Sequence, residues 1–318
     1  MNQDNMESEQ AQNIVGNNIK IGYIGLGKMG LNMVKRLRDQ KYEVVVLDHN
    51  EPKIAEAVQL GCVGSTSVKD LFEKLRSNNN EKQIVIWLMI PHQSIEKTLE
   101  EIEPELEPED ILIDGGNSFY QDSINRYAKL KNQNLNFLDA GVSGGPSGAL
   151  NGACIMVGGD KEIYMKVEKL FKDLTLADGC QYVGSAGSGH YAKMVHNGIE
   201  YGMMASIGEG FNLLKESRYH FDLKKMAKLY SHGSVIESRL MSLLSNGYDK
   251  YDQDLHQVTD VVGHTGEVEW LLKDARKNKI PVSNIKQSYK IRLNKKNKTS
   301  YIRRVLSLLR NQFGGHSL

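Results

Sequence analysis

Ile19-Lys-Ile-Gly-Tyr-Ile-Gly-Leu-Gly-Lys-Met-Gly30 decides how this chain is read. Ile19 to Ile24 read as a buried strand, and Gly25-x-Gly27-x-x-Gly30 follows at the mouth of a helical pattern. The glycine motif gains its meaning from that placement between strand and helix. Glycine at 25 permits a tight turn, at 27 a close approach of backbone to a pyrophosphate, and at 30 close packing of helix on strand. The helix N-terminus adds partial positive charge. Glu43–Leu47 is the next strand, and it ends at Asp48, 18 positions beyond Gly30. A carboxylate there hydrogen-bonds the ribose hydroxyls of a dinucleotide and repels a 2′-phosphate, so NAD is expected in preference to NADP. The expected cofactor contacts are Gly25, Leu26, Gly27, Lys28, Met29, Gly30, Asp48, His49 and Asn50. Met89, closing a later strand, and Asn117 join them.

Working outward, short apolar strands alternate with helical segments, which is the pattern of a doubly wound parallel sheet. Helices are expected at 30–41, 52–59 and 161–171, with strands at 63–64, 84–89, 111–114, 136–140, 154–157 and 181–183. The acidic run Glu96 to Asp110 reads as a solvated helix and turn. After Gly189 the strand patterns stop, and helices are expected at 190–215, 223–230, 234–244, 267–277, 281–290 and 302–312. The fold class is therefore α/β: an N-terminal Rossmann-type doubly wound parallel sheet over 19–186, then a smaller all-α domain over 187–318. Residues 1–18, polar and rich in Asn and Gln, read as a disordered extension.

Composition narrows the function. The 318 residues are 40% hydrophobic and 25% charged, with a net charge of +1, which suits a globular protein and no general binder of nucleic acid or membrane surfaces. The longest apolar run, Ile84 to Ile90, is seven residues, far short of the ~20 that a spanning helix needs. Cys62, Cys154 and Cys180 are widely spaced and form no metal-like pair, so a reduced cytoplasmic setting without a bound metal is expected. No acidic residue follows Asp274, whereas lysine and arginine recur to Arg310. Some of those cations are expected to meet an anionic small substrate.

The chemistry concentrates in Gly187-Ser-Gly-His-Tyr-Ala-Lys-Met-Val-His-Asn-Gly-Ile-Glu-Tyr201. As a helix it places Lys193, His196, Asn197, Glu200 and Tyr201 at i, i+3, i+4, i+7 and i+8, the spacing that an amphipathic helix normally gives to its core face. Every position is polar, and two offer a base and an acid. Apolar Met194, Val195, Ile199, Met203 and Met204 surround the row, so it is expected to line a polar cavity. Two strand ends add candidates. Asp114-Gly-Gly-Asn117 places Asn117 at the carboxyl edge of the sheet, where ligands bind in such folds, and it is also ordinary turn chemistry. Ser143, Gly144 and Gly145 follow the 136–140 strand and offer a hydroxyl and an anion nest.

Taken in order, Gly25-Leu-Gly-Lys-Met-Gly30, Asp114-Gly-Gly-Asn-Ser118, Gly141-Val-Ser-Gly-Gly145 and Gly189-His-Tyr-Ala-Lys-Met-Val-His-Asn-Gly-Ile-Glu-Tyr201 closely resemble the decarboxylating 6-phosphogluconate dehydrogenase family, over about residues 19 to 318. The length resembles its short bacterial form. The resemblance implies oxidation and decarboxylation of 6-phosphogluconate, with Lys193 as general base and Glu200 as general acid. It implies that Asn117, Ser143, Gly144, Gly145, His196, Asn197 and Tyr201 hold the sugar acid. Arg292 would bind its phosphate, and Arg310 and His316 of the tail would reach a neighbouring subunit's site in a homodimer or homotetramer. Two departures stand out. Asp48-His49-Asn50 lacks the arginine of long NADP-preferring members, and Gly266-Glu-Val-Glu-Trp270 replaces a lysine- and threonine-bearing segment near the phosphate. The rival readings are a non-decarboxylating β-hydroxyacid dehydrogenase similar to 3-hydroxyisobutyrate dehydrogenase, and a non-catalytic NAD-binding regulator.

Overall fold

Lys20–Ile24 forms β1, the strand that runs into the glycine turn, and Lys28–Asp39 forms the helix α1 that leaves it. The computed structural model describes residues 19–77, 83–293, 300–316 and 318; the extension expected over 1–18 lies outside the described residues. The chain divides into two units, one ending at Lys193 and one spanning Met194–Leu318. That division falls inside a helix, seven residues past the expected boundary at 186.

In the first unit, β2 (Glu43–Leu47), β3 (Val63–Gly64), β4 (Val85–Leu88), β5 (Ile111–Asp114), β6 (Asn136–Ser143), β7 (Ala153–Gly159) and β8 (Thr175–Gly184) join β1 in one sheet. Its strand order is β3-β2-β1-β4-β5-β6-β7-β8. The strands from β3 to β6 pair in parallel, with Ile24 opposite both Leu47 and Leu88, and Asp114 opposite Leu88 and Asp139. The expected all-parallel order fails at one place: β6 and β7 are antiparallel, with Ser143 opposite Cys154. The reason is the length of the connection. Only residues 144–152 join the two strands, and a parallel crossover needs roughly a dozen or more. The helix α6 (Gly145–Asn151) fits in that link and returns the chain on the same edge.

Successive residues of the central strands face opposite sides, and both sides are buried. Tyr23, Trp87 and Ile113 belong to one apolar layer, and Ile24, Ile86, Leu88 and Leu112 to the other. The helices α2 (Glu51–Gln59), α3 (Val68–Arg76), α4 (His92–Ile102), α5 (Tyr120–Lys131) and α7 (Lys161–Leu174) complete the layers. The reading of the sequence left α3, α5 and α6 out. For α3 the pattern was present: Ser67 accepts from the Asp70 amide as N-cap, and Val68, Leu71, Phe72 and Leu75 make a buried stripe at helical spacing. The acidic run is less solvated than expected, because α4 begins at His92 and buries Ile95, Leu99 and Ile102.

The helix α8 (Ser188–Glu216) starts in the first unit and continues into the second. The second unit then holds α9 (Leu223–Tyr230), α10 (Arg239–Tyr251), α11 (Glu267–Lys277), α12 (Ser283–Leu293) and α13 (Tyr301–Gly314). α10 begins five residues later than expected at 234, because Ser238 caps it by accepting from the Met241 amide. Met204, Phe211, Leu244, Tyr248, Leu306 and Leu309 centre its core. No helix among the described residues is long and apolar enough to cross a membrane.

Candidate active site

The glycine turn has the shape that its residues dictate. A Cβ on Gly30 would lie 2.0 Å from the Gly25 carbonyl oxygen, so only glycine lets α1 start this close to β1. A Cβ on Gly27 would meet nothing, which leaves space above the turn. Gly27 is the N-cap of α1, and no side chain caps that helix. Its first-turn amides thus meet the requirement of an anion such as a pyrophosphate. Lys28 is exposed at this helix start, Met29 is half-buried, and Leu26 is buried beneath the turn. Met89 donates its amide to the Ile24 carbonyl at 2.8 Å, which places it beside the turn at the end of β4.

Asp48 is fixed rather than free. Its Oδ2 accepts the Leu26 amide at 2.5 Å, and its Oδ1 accepts the Asn50 amide at 2.8 Å. The carboxylate therefore ties the end of β2 to the glycine turn and stands where a ribose is expected. His49 projects outward with Nδ1 3.1 Å from Asp48 Oδ1. Asn50 is the N-cap of α2, its side chain accepting the Lys53 amide, so a structural duty explains this residue as well. A glycine turn with an open face, an uncapped helix start and a locked carboxylate fits a dinucleotide.

At the ends of β5 and β6, buried carboxylates shape the loops. Asp114 Oδ1 accepts the Gly116 amide at 3.0 Å, while Oδ2 accepts the Ser118 hydroxyl at 2.7 Å and Arg126 at 2.9 Å. That clamp holds the turn carrying Asn117. Ser143 ends β6, and Gly144 and Gly145 follow with φ of 122° and 61°. One position along β6 governs Lys193. A Cβ on Gly141 would lie 2.5 Å from the Lys193 Cβ and 2.6 Å from the Gly189 carbonyl oxygen, so glycine sets how near α8 approaches the sheet. Asp139, also on β6, accepts the Gly187 and His190 amides at 2.7 and 2.9 Å, capping the N-terminus of α8. Asp139 was missed in the sequence, although an aspartate inside an apolar strand is the sign of such a task.

Beyond Lys193, α8 carries the rest of the polar row through the second unit. His196, Asn197 and Glu200 are half-buried and Tyr201 is buried, whereas Ile199 and Met203 are 55% and 42% exposed. The polar row is thus partly withdrawn from water, while two of the apolar residues beside it are exposed. Met194 and Met204, by contrast, are buried as expected. His196 Nδ1 lies 3.1 Å from Asn197 Oδ1 and 4.0 Å from Glu200 Oε2. Asn197 Nδ2 donates to Glu267 Oε1 at 3.3 Å, and Thr265 donates to Glu267 Oε2 at 2.6 Å.

Two arginines converge on Tyr201. Arg292 on α12 is 4% exposed and stacks its guanidinium 3.4 Å from the ring centre. Its Nε is buried without a hydrogen bond among the described residues. Burial pushes its titration below the usual arginine range, and the neighbouring Arg310 guanidinium pushes the same way. Arg310 on α13 is likewise depressed by burial, with Tyr201, Glu200 and Glu267 opposing the shift. Burial raises the Tyr201 hydroxyl above its ordinary value. Two guanidinium groups withdrawn from water around one ring favour an anion between them.

Arg310 of the tail lies near Tyr201, Glu200 and Glu267 of its own chain. α13 buries Val305, Leu306, Leu308 and Leu309 in this unit's core, which holds Arg310 in place. His316 is exposed just beyond the helix, its carbonyl accepting from Asn311 at 2.7 Å. Glu267, absent from the expected site residues, is buried in the same cluster.

The comparisons agree with this geometry. Residues 20–184 match the family profile of the NAD binding domain of 6-phosphogluconate dehydrogenase, and residues 189–312 match that of its C-terminal domain. The chain is 41% identical over 299 residues to YqeC of Bacillus subtilis, whose name gives 6-phosphogluconate dehydrogenase as a provisional assignment; the match covers 94% of this chain and 99% of that protein. It is 37% identical over 302 residues to the NAD(+)-dependent, decarboxylating 6-phosphogluconate dehydrogenase of Haloferax volcanii, covering 94% and 98%. Among solved structures, Plasmodium falciparum 6-phosphogluconate dehydrogenase superposes with a TM-score of 0.76 at 26% identity, covering 92% of this chain and 63% of that one. A dinucleotide turn, a polar row on α8 and two family profiles spanning the same residues lead to one conclusion: the chain belongs to the 6-phosphogluconate dehydrogenase family.

Proposed function

We propose that the chain oxidises and decarboxylates 6-phosphogluconate to ribulose 5-phosphate and CO2, and that it prefers NAD+ to NADP+. The observation that carries this reading is the pair of desolvated arginines around Tyr201, on the same unit as Glu200, His196 and Asn197. Arg292 and Arg310 suit the phosphate dianion. Asn117, Ser143, Gly144 and Gly145 offer donors to the sugar acid and its carboxylate, as do His196, Asn197 and Tyr201. Arg310 and His316 of the tail reach the site of a neighbouring subunit in a homo-oligomer. A ligand that lacked an anionic end would leave the arginines unpaired, which costs more than the contact returns.

Lys193 acts as general base with its amine uncharged, taking the proton of the C3 hydroxyl. A nicotinamide dinucleotide held by the glycine turn and Asp48 would supply the acceptor for the hydride that leaves C3. The same lysine, now an ammonium, then donates to the C3 ketone oxygen and stabilises the enediol that forms as CO2 departs. Glu200, two turns along α8, protonates C1 of that enediol. A positioned acid or base contributes typically ~10²–10⁴-fold. The preference for NAD+ follows from Asp48: its charge, locked by the Leu26 and Asn50 amides, accepts from ribose hydroxyls and repels a 2′-phosphate. The deciding experiment is a steady-state assay of 6-phosphogluconate with each dinucleotide, with CO2 and reduced cofactor measured together. Equal amounts of both products, with the larger kcat/KM for NAD+, are expected. Reduction of the cofactor without CO2 would refute decarboxylation, and no turnover would refute the reading altogether.

A further inference from the structure

Glu267 opens α11 directly after Gly266, and it is 4% exposed. A carboxylate in the first turn of a helix faces the unsatisfied amides there, which favour its anionic form. An ionised carboxylate only accepts hydrogen bonds. Oε2 takes the Thr265 hydroxyl at 2.6 Å, and Oε1 takes the Asn197 side chain at 3.3 Å. The group facing Oε1 must therefore be the NH2 end of the Asn197 amide.

That fixes the other end. With its NH2 turned to Glu267, Asn197 presents its oxygen to His196, whose Nδ1 lies 3.1 Å away. An amide oxygen accepts, so Nδ1 must carry the proton. Glu200 Oε2, on the same helix, lies 4.0 Å from Nδ1, which is too long for a hydrogen bond. Glu200 must also gain and lose a proton in the proposed reaction, whereas Glu267 has no such part in it. A neutral imidazole with Nδ1–H has its lone pair on Nε2.

We propose that Glu267 is a positioning residue: through Asn197 it holds His196 as the Nδ1–H tautomer, so that Nε2 accepts a hydrogen bond from a hydroxyl of the substrate. The proposal rests on the reading of α8 as the helix that binds the sugar acid, and it adds a class requirement. The ligand must offer a hydroxyl donor to His196, which a polyhydroxy acid does and a short apolar acid does not. The Glu267 charge orients an amide and opposes the repulsion between Arg310 and Arg292.

The test is heteronuclear NMR of the full-length protein with 15N in its histidine rings, read without substrate, using His196→Gln to identify the signal. Wild-type His196 is expected to be wholly Nδ1–H near neutral pH. In Glu267→Gln the new side chain both donates and accepts, so either orientation of Asn197 is satisfied and both tautomers should be populated. The same variant should lose about 10–100-fold in kcat/KM for 6-phosphogluconate, the scale of one misdirected charge-assisted hydrogen bond. A wild-type ring protonated on Nε2, a Glu267→Gln ring that remains wholly Nδ1–H, or unchanged kcat/KM in that variant each overturns the assignment. Should Glu267→Gln fail to fold, the wild-type tautomer still decides. The NMR readout needs no turnover. Loss of the wild-type assay result would therefore refute the proposed reaction alone, and a wrong tautomer in an active enzyme would refute this inference alone.

Discussion

Gly141→Ala tests the link between the sheet and Lys193, the proposed general base, because the added methyl has nowhere to go. Its carbon would sit 2.5 Å from the Lys193 Cβ and 2.6 Å from the Gly189 carbonyl oxygen, against ordinary contacts of 3.4–4 Å. Relief of either contact requires α8 and β6 to separate locally by about 1 Å. Neither neighbour is the flexible end of a side chain. One is the Cβ of Lys193, and the other is backbone held by the Asp139 cap. Overpacking of this kind costs about 1–3 kcal/mol. At roughly 2–4 °C per kcal/mol for a unit of this size, Tm should fall by about 2–12 °C. The larger effect is on rate, since a 1 Å displacement of a reacting group costs about 10²-fold. The assay compares kcat for 6-phosphogluconate, Tm, and NAD+ affinity by fluorescence titration. A fall of about 10²-fold in kcat is expected, with NAD+ affinity retained because the glycine turn is untouched. A folded variant with wild-type kcat would refute the claim that Gly141 sets the position of Lys193.

Lys193→Met and Glu200→Gln should each depress kcat by about 10²–10⁴-fold while NAD+ binding stays within about twofold; wild-type turnover in either would remove that residue from its role. Asp48→Ala should raise the NADP+/NAD+ ratio of kcat/KM by at least about tenfold, as judged by parallel steady-state assays, and an unchanged ratio would disprove the ribose contact. Arg292→Met should raise KM for 6-phosphogluconate by about 10–100-fold and abolish inhibition by inorganic phosphate; retained phosphate inhibition would move the anion site elsewhere. Lys215 holds the Asp254 carboxyl below the usual aspartate range through their ion pair. A depressed folded-state value stabilises above the unfolded value near ~3.9 and is lost as pH falls through the folded one. Lys215→Met should therefore shift the acid-unfolding midpoint upward, and an identical acid titration by circular dichroism would show that the pair contributes nothing.

What could be read along the chain was whatever depends on near neighbours. β1, the glycine turn, α1 and Asp48 lie within thirty residues of one another, so period, turn chemistry and spacing specify them together. The polar row of α8 was legible for the same reason, since one helix fixes the directions of Lys193, His196, Asn197, Glu200 and Tyr201 once its period is known. The helices α3 and α5 were present in the pattern and were passed over; Ser67 followed by Val68, Leu71, Phe72 and Leu75 is a helix start written plainly.

Only the folded chain decided the rest, because those features join residues far apart in sequence. The inversion of β7 depends on how nine linking residues must bridge two strand ends. Asp139 caps a helix 49 positions onward, at Ser188, because β6 happens to end beneath it. Arg292 and Arg310, on different helices, meet at Tyr201 because α12 and α13 pack their apolar residues into one core and leave the guanidinium groups on its inner side. Glu267 was visible in the Gly266–Trp270 segment, and its meaning came from the 3.3 Å contact that brings it to Asn197. Local periodicity determines which groups a helix presents; long-range packing determines which of them meet.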